Sequence, residues 1–128
     1  MTKIKEIKTH EDLDVWKGAI DFVTNIYRET NKFPKSERYG LTNQIRRASV
    51  SIPSNIAEGA SRNSTKDYLH FLYIALGSIS EVETQLQIAK NLDYLKSDNL
   101  LKDIKNIKGK LINLIGSLKR RYHEKKEE

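Results

Sequence analysis

The 128-residue sequence contains no cysteine and only two prolines. The lack of cysteine excludes disulfides, thiolate metal sites and thiol nucleophiles, and it suits a reducing compartment, for which the cytoplasm is the default. No stretch reaches the roughly 20 apolar residues of a membrane span, and the Lys- and Ile-rich start lacks the apolar run of a signal peptide. We therefore predict a cytoplasmic protein with no membrane partner.

Motifs that carry chemistry are missing as well. The three histidines, His10, His70 and His123, are far apart, and none stands in an E-x-x-H or H-E-x-x-H pattern of metal-binding helices. The chain also has no G-x-S-x-G, no P-loop and no dinucleotide fingerprint. We predict no catalytic residue, no metal and no cofactor, and hence a protein that is not an enzyme.

The strict alternation of apolar and polar residues that is typical of strands is absent, and apolar residues instead recur every three or four positions. The length suits one domain with one core. We predict an all-α fold, an antiparallel up-down-up-down four-helix bundle, because short connections force neighbouring helices to run antiparallel. The expected helices span about residues 11–30, 37–61, 65–91 and 98–122 of a single domain, 1–128, and a charged tail covers 123–128.

Each predicted helix has a start signal. Thr9-His10-Glu11-Asp12 and Ser64-Thr65-Lys66-Asp67 resemble capping boxes, in which a hydroxyl accepts from a backbone N–H and an acid follows three residues later. Ser36 is the predicted N-cap of the second helix, and Ser97 with Asp98 opens the fourth. Inside the second helix, Pro53 predicts a kink or a short break near residues 50–53, because proline has no N–H to donate.

Every predicted helix carries an apolar stripe. On the first helix the stripe comprises Leu13, Trp16, Ile20, Val23 and Tyr27. The stripes of the other three are Leu41, Ile45, Ala48, Ile52 and Ile56; then Tyr68, Leu72, Ala75, Ile79, Val82, Leu86 and Ala89; then Leu100, Ile104, Ile107, Leu111, Leu114 and Leu118.

The third helix has more apolar surface than one core can cover. A helix that is apolar nearly all round is normally buried all round. We therefore predict that the residues off its stripe pack against another subunit. These oligomer-interface candidates are Phe71, Tyr73, Ile74 and Leu76.

The stretch 44–59 holds more small polar residues than a helix needs, because Ser, Asn and Pro are poor interior helix formers. One interpretation is structural: small side chains let a neighbouring helix approach closely, while Asn55 and Glu58 satisfy groups freed at Pro53. The other interpretation is a polar groove for a phosphate backbone or an acidic partner. Arg46, Arg47 and Arg62 border that groove.

The net charge of +6 is concentrated near the C-terminus, where residues 96–128 hold 10 basic and 5 acidic side chains. Such an asymmetry can serve a polyanionic partner. It is equally typical of a solvated helix face that ends in a charged tail. The densest cluster is Lys119-Arg120-Arg121.

Several runs resemble the bacterial four-helix-bundle family named after proteins encoded in intervening sequences of 23S ribosomal RNA genes. These runs are Glu37-Arg38-Tyr39-Gly40-Leu41, Gln44-Ile45-Arg46-Arg47-Ala48, Ser51-Ile52-Pro53-Ser54-Asn55-Ile56-Ala57-Glu58-Gly59 and Phe71-Leu72-Tyr73-Ile74-Ala75-Leu76-Gly77-Ser78. The resemblance implies an antiparallel bundle that assembles as a ring, commonly a homopentamer. One branch is similar to the accessory variability determinant of diversity-generating retroelements, a basic pentamer that binds a reverse transcriptase and nucleic acid.

Two functional hypotheses follow. The first is a non-enzymatic, homo-oligomeric scaffold or adaptor that engages RNA, DNA or a nucleic-acid enzyme such as a reverse transcriptase through basic residues. Its candidate contacts are Arg46, Arg47, Arg62, Lys66, Lys119, Arg120 and Arg121. The alternative is a purely structural or protein-binding oligomeric module with no nucleic-acid role, in which the polar second helix builds the assembly and the charge provides solubility.

Overall fold

The computed structural model describes the backbone of residues 13–127 and the side chains of residues 13–124. This part of the chain folds into four α-helices and contains no strand. The helices are α1 (Asp14–Thr30), α2 (Leu41–Ala60), α3 (Thr65–Asn91) and α4 (Asn99–Glu127), with a short 3₁₀ helix at Lys35–Glu37. The predicted all-α fold is confirmed. The predicted capping box at Thr9 lies outside the described residues.

Two helix ends depart from the prediction. Ser36 does not cap α2, because the 3₁₀ helix and a turn intervene and Gly40 has φ −108° and ψ −115°, outside the helical region. The helix starts at Leu41, whose backbone N–H donates to Glu37 Oε1 at 3.3 Å. At the other end, α4 does not stop near residue 122 but runs to Glu127, so the predicted tail is helical as far as Glu127.

The start of α3 follows the sequence signal closely. Ser64 has extended backbone angles, and its Oγ accepts from the backbone N–H of Asp67 at 3.1 Å. This bond satisfies one of the N–H groups that the first turn of a helix leaves without an intrahelical partner. The carboxylate of Asp67 in that first turn also complements the helix dipole.

Each described helix packs against two others, in the order α1–α2–α3–α4 and back to α1. Contact positions rise along one helix as they fall along its neighbour. Ser51 of α2 meets Ser78 of α3, and Gly59 meets Tyr68. In the same way, Lys90 near the end of α3 pairs with Asp98 just before α4, and Glu83 of α3 pairs with Lys108 of α4. The four helices therefore enclose a single core, with each helix packed mainly against its two neighbours.

The core consists mainly of the stripes predicted for α2, α3 and α4. Ile45, Ile52 and Ile56 of α2 are fully buried, and so are the equivalent residues of α3. The buried residues of α3 and α4 are Leu72, Ala75, Ile79, Val82, Leu86, Ala89, Leu100, Ile104, Ile107, Leu111, Ile115 and Leu118. Periodicity of 3.6 residues therefore located three of the four core faces.

The stripe predicted for α1 is wrong over most of its length. The core face of α1 is formed by Val15, Ala19, Phe22 and Ile26, together with Thr30 at the end of the helix. The predicted Ile20 and Tyr27 are instead 38% and 42% exposed. The helix has two apolar stripes, and the stripe with the bulkier residues was predicted to face the core.

The helix α2 continues without a break through Pro53, which is buried. The predicted short break is therefore absent, and the kink stays a prediction. Small residues of α2 lie close to α3, since the hydroxyls of Ser51 and Ser78 are 2.7 Å apart. Within α2, Asn55 Nδ2 donates to the backbone oxygen of Ser51 at 2.8 Å. Ser49 is fully buried and donates to the backbone oxygen of Arg46 at 2.9 Å.

Candidate nucleic-acid interface

The seven basic residues predicted as contacts fall into two groups at opposite ends of the bundle. Arg46 and Arg47 lie near the start of α2, beside the end of α1. The other group lies where α2 ends, α3 begins and α4 approaches its end. Its members are Arg62, Lys66, Lys119, Arg120 and Arg121. Arg46 and Arg62 are separated by 16 positions, which corresponds to about 24 Å along a helix axis.

Arg46 is partly buried and bonded to the end of α1 and the residue after it. Its Nε donates to Thr30 Oγ1 at 2.9 Å, and its Nη2 donates to Asn31 Oδ1 at 3.0 Å and to the Tyr27 carbonyl at 3.3 Å. The guanidinium also lies 4.7 Å from the centre of the Tyr27 ring. Arg46 therefore clamps α2 to the end of α1, which supports the structural interpretation of the polar helix at this position.

Arg47 differs from its neighbour in every respect. Its side chain is exposed, and among the described residues it makes no hydrogen bond, ion pair or ring contact. The pair therefore offers one engaged and one free arginine on successive positions of the same helix.

The second group surrounds two aromatic rings at the start of α3. Lys119 Nζ lies 5.2 Å from the centre of the Tyr73 ring, and the Arg62 guanidinium lies 4.7 Å from the centre of the Phe71 ring. Arg62 also forms an ion pair with Glu58 one turn earlier. We call this region the basic end surface and define it as Arg62, Lys66, Phe71, Tyr73, Lys119, Arg120 and Arg121.

Charge at the basic end surface is largely uncompensated. Lys66, Lys119, Arg120 and Arg121 are exposed, and within residues 13–124 none of them pairs with an acid. Arg120 turns back along its own helix, since its Nη1 lies 3.4 Å from the position of a Cβ on Gly116. Exposed cations of this kind attract phosphates with little desolvation cost.

The aromatic rings add a second kind of contact. Tyr73 is 44% exposed. Nucleic-acid bases can stack on an aromatic side chain whatever the nucleic-acid sequence. Lys119 lies over the Tyr73 ring, and such a cation is attracted by the ring electrons. The basic end surface thus combines exposed cations with a partly exposed aromatic ring.

The four residues predicted as an oligomer interface are not equivalent. Leu76 is half-buried against the protein's own core, and Phe71 is half-buried beneath Arg62. Ile74 and Tyr73 are 40% and 44% exposed. The surplus apolar surface of α3 is therefore smaller than expected. Ile88, two heptads beyond Ile74, adds to it, since its side chain is 45% exposed.

A larger apolar surface lies between α1 and α2. It is a groove of about 390 Å³, lined mainly by the outer stripe of α1 and the outer side of α2. Ile20 and Val50, each 38% exposed, form opposite walls. The groove residues are Trp16, Ile20, Val23, Val50, Pro53 and Ala57. Sequence analysis had assigned the α1 residues among them to the core.

Some functional classes have no counterpart in the described part of the chain. No group of three or more His, Asp or Glu side chains there is arranged to hold a metal ion. None of the helices there is both long and apolar enough to cross a membrane. Burial raises the pKa of Tyr68 above its ordinary value, so this phenol stays neutral.

The four described helices define a small helical bundle of the all-α class. This chain belongs to the family of 23S rRNA-intervening sequence proteins, whose model matches residues 11–115.

A solved structure supports this membership. The fold is similar to that of a protein of unknown function from the S23 ribosomal protein family of Bacteroides thetaiotaomicron, with a TM-score of 0.71 and 25% sequence identity. The similarity covers 79% of this chain and 97% of that one. No protein with a curated description matches the chain.

Proposed function

We propose that this chain is a non-catalytic, self-assembling helical scaffold that binds nucleic acid through the basic end surface. The observation that carries the proposal is an exposed tyrosine with an unpaired lysine over its ring, Lys119 Nζ lying 5.2 Å from the Tyr73 ring centre, at an end of the bundle that carries further exposed cations. Basic residues hold the phosphates, and the ring stacks on a base. Arg46 has no part in this contact, because it lies at the other end of the bundle and its Nε and Nη2 bond within the protein.

A charge-neutralising triple variant tests this function. Lys66→Gln, Lys119→Gln and Arg120→Gln together remove three exposed cations from the basic end surface. We expect at least about a tenfold loss of affinity for a single-stranded RNA, because each phosphate contact adds to an electrostatic attraction. The measurement is fluorescence anisotropy with a labelled oligonucleotide at low salt.

The matched control changes the net charge equally but elsewhere. Lys102, Lys105 and Lys110 are exposed on α4, and none of them pairs with an acid within the described side chains. Replacing all three with glutamine should reduce affinity less than about threefold, since only the long-range field changes. Equal losses in the two triple variants would refute a localised interface and would leave only non-specific attraction.

Self-assembly rests on two separate apolar surfaces. The groove between α1 and α2 carries Ile20 and Val50, while the exposed part of α3 carries Ile74 and Ile88. Because the two surfaces differ, a contact between them is heterologous, and repetition of a heterologous contact closes a ring when the rotation permits. The ring would bring several copies of the basic end surface together and strengthen weak contacts through avidity.

Mixing experiments test this assembly. Val50→Lys places a charge in the groove, and Ile74→Lys places one on α3, so each variant alone should be a monomer in light scattering. A mixture of the two should form a dimer, because it retains one intact groove and one intact α3 surface. Ile112, 48% exposed on α4, provides the control, and Ile112→Lys should assemble as the wild type does.

Several results would count against this arrangement. A monomeric wild type at micromolar concentration would rule out self-assembly. A mixture that stays monomeric would show that the groove and the α3 surface do not bind each other, whereas assembly of either variant alone would show that identical surfaces pair. If the wild type forms a ring, its mass relative to the 14.8 kDa chain gives the number of subunits, for which the family resemblance implies five.

A further inference from the structure

A small basic cleft lies at the opposite end of the bundle from the basic end surface. Its volume is about 240 Å³, which is below the ~300–1,000 Å³ of most pockets for drug-sized ligands. Its polar lining residues come from the end of α1, the connection to α2 and the first two turns of α2. They are Thr30, Asn31, Lys35, Arg38, Thr42 and Arg46.

The charge of this cleft is of one sign. Lys35, Arg38 and Arg46 contribute three cations, and no carboxylate is among the lining residues. Lys35 and Arg38 are exposed and form no ion pair within residues 13–124. Arg46 is fixed by three hydrogen bonds. Its Nε donates to Thr30, and its Nη2 donates to Asn31 and to the Tyr27 carbonyl, so Nη1 keeps its donors.

Thr42 gives a second, independent indication. The residue is only 5% exposed, yet its hydroxyl makes no hydrogen bond within the described part of the chain. The hydroxyl oxygen is not fully sealed from solvent. Thr42 lines the cleft, so the cleft is the space to which its hydroxyl is open. The hydroxyl therefore has no protein partner among the described residues and is open to the cleft, where a ligand would supply one.

The backbone adds donors at the same place. Thr42 is the second residue of α2, and the first N–H groups of a helix have no intrahelical partner. Leu41 N–H is taken by Glu37 Oε1, while the N–H groups of Thr42 and Asn43 find no acceptor among the described residues. The positive end of the α2 dipole therefore meets three cations and a free hydroxyl.

The walls of the cleft are held in place before any ligand binds. Phe33 is buried and its ring lies 5.4 Å from that of Tyr94, whose hydroxyl donates to Glu37 Oε2 at 2.9 Å. This hydrogen bond raises the pKa of Tyr94, so the phenol stays a neutral donor. The two carboxylate oxygens of Glu37 thus accept from Leu41 and Tyr94, and Glu37 is not among the residues that line the cleft.

We propose that this cleft binds one phosphoryl group, presented by free phosphate or a phosphate monoester or by the terminal phosphate of a nucleic-acid strand. Arg38 and Lys35 close over the anion, Thr42 donates its hydroxyl together with the helix N–H groups, and Arg46 supplies a fixed positive wall. Arginine and backbone N–H donors match the tetrahedral, multiply accepting phosphate oxygens. The proposal does not depend on the basic end surface and extends beyond it.

The test is a titration of the full chain with inorganic phosphate, followed through backbone amide chemical shifts. We expect saturable shifts confined to residues 30–46. The double variant Lys35→Gln, Arg38→Gln should weaken phosphate binding at least about tenfold, and Thr42→Val should weaken it by about three- to tenfold, because valine keeps the shape and removes the donor. Lys102→Gln with Lys105→Gln is the control with the same charge change and should bind phosphate as the wild type does.

Two oligonucleotides separate the sources of the phosphate. If the terminal phosphate is the ligand, a 5′-phosphorylated strand should bind more tightly than its 5′-hydroxyl counterpart, and Thr42→Val should reduce the difference by about three- to tenfold. If a free phosphate or monoester is the ligand, the two strands should bind alike while inorganic phosphate still shifts residues 30–46. Amide shifts spread over the whole chain, or equal phosphate affinity in the wild type and both cleft variants, would overturn the proposal. Loss of oligonucleotide binding with phosphate binding unchanged would bear only on the basic end surface.

Discussion

Replacing Gly59 with alanine should destabilise the bundle by about 2 kcal/mol, although alanine is the better helix former. A Cβ at this position would stand 2.9 Å from Phe71 Cβ and 3.1 Å from the Tyr68 backbone oxygen. Neither atom is the end of a flexible side chain, so α2 and α3 would have to move apart. The expected fall in Tm is about 5–10 °C for a chain of this size, measured by circular dichroism.

Two other helical glycines provide matched controls. A Cβ added at Gly77 or Gly109 would meet nothing within 4 Å. Gly77→Ala and Gly109→Ala should therefore stabilise the protein by about 0.5–1 kcal/mol through helix propensity. A Gly59→Ala protein as stable as these controls would contradict the close contact of α2 with α3.

Arg46→Ala should cost about 2 kcal/mol of unfolding free energy. The substitution removes the bonds to Thr30, Asn31 and the Tyr27 carbonyl, together with the contact of the guanidinium with the Tyr27 ring. Hydrogen bonds that involve a charged group contribute about 1.5–3 kcal/mol each, and lost bonds in one network are not additive. The measurement is urea unfolding, where the midpoint should fall while the slope stays unchanged.

The neighbouring arginine makes the comparison specific. Arg47→Ala should change stability by less than about 0.5 kcal/mol, because its exposed side chain makes no contact within the described residues. Arg46→Lys should not restore the wild-type midpoint, since an ammonium group cannot reproduce the planar fork that reaches Thr30 and Asn31. Equal effects at the two positions would show that Arg46 is not a clamp.

The helix α1 shows why a stripe alone does not define a core face. Its residues 15, 19, 22 and 26 and its residues 13, 16, 20, 23 and 27 both recur at helical spacing. The second set contains the only tryptophan and appears the stronger hydrophobic signal, yet small Ala19 is the fully buried residue and Ile20 is exposed. The choice depends on how closely α2 and α4 approach, which is a tertiary property. Where the sequence offered one stripe, as on α2, the core face was predicted.

The candidate site was predictable in part. Lys119 was recognised from local charge density and Tyr73 from surplus apolar surface, but they were assigned to different functions. Their contact joins residues 46 positions apart and follows from the pairing of α3 with α4. Lys35, Arg38 and Thr42 were not recognised, because the second helix was expected to begin at Ser36. A helix start at Leu41 is what places its free N–H groups beside these residues.

Arg46 illustrates the same limit from the other side. Its position in a run of small polar residues gave no indication of whether it faced solvent or a neighbour. The structure places it against Thr30 and Asn31, which the sequence separates from it by a loop and a 3₁₀ helix. Adjacent basic residues on one helix can therefore have different roles, and a count of positive charges does not identify an interface.

The salt dependence of RNA binding tests the central claim most directly. For a single strand, log K should fall linearly with log salt concentration, with a slope of about −0.7 for each phosphate neutralised. If Lys66, Lys119 and Arg120 each hold a phosphate, their triple glutamine variant should have a slope shallower than the wild type by about 2, while the Lys102, Lys105 and Lys110 variant keeps the wild-type slope. Identical slopes in all three proteins, or no binding by the wild type at about 50 mM salt, would contradict nucleic-acid binding through the basic end surface.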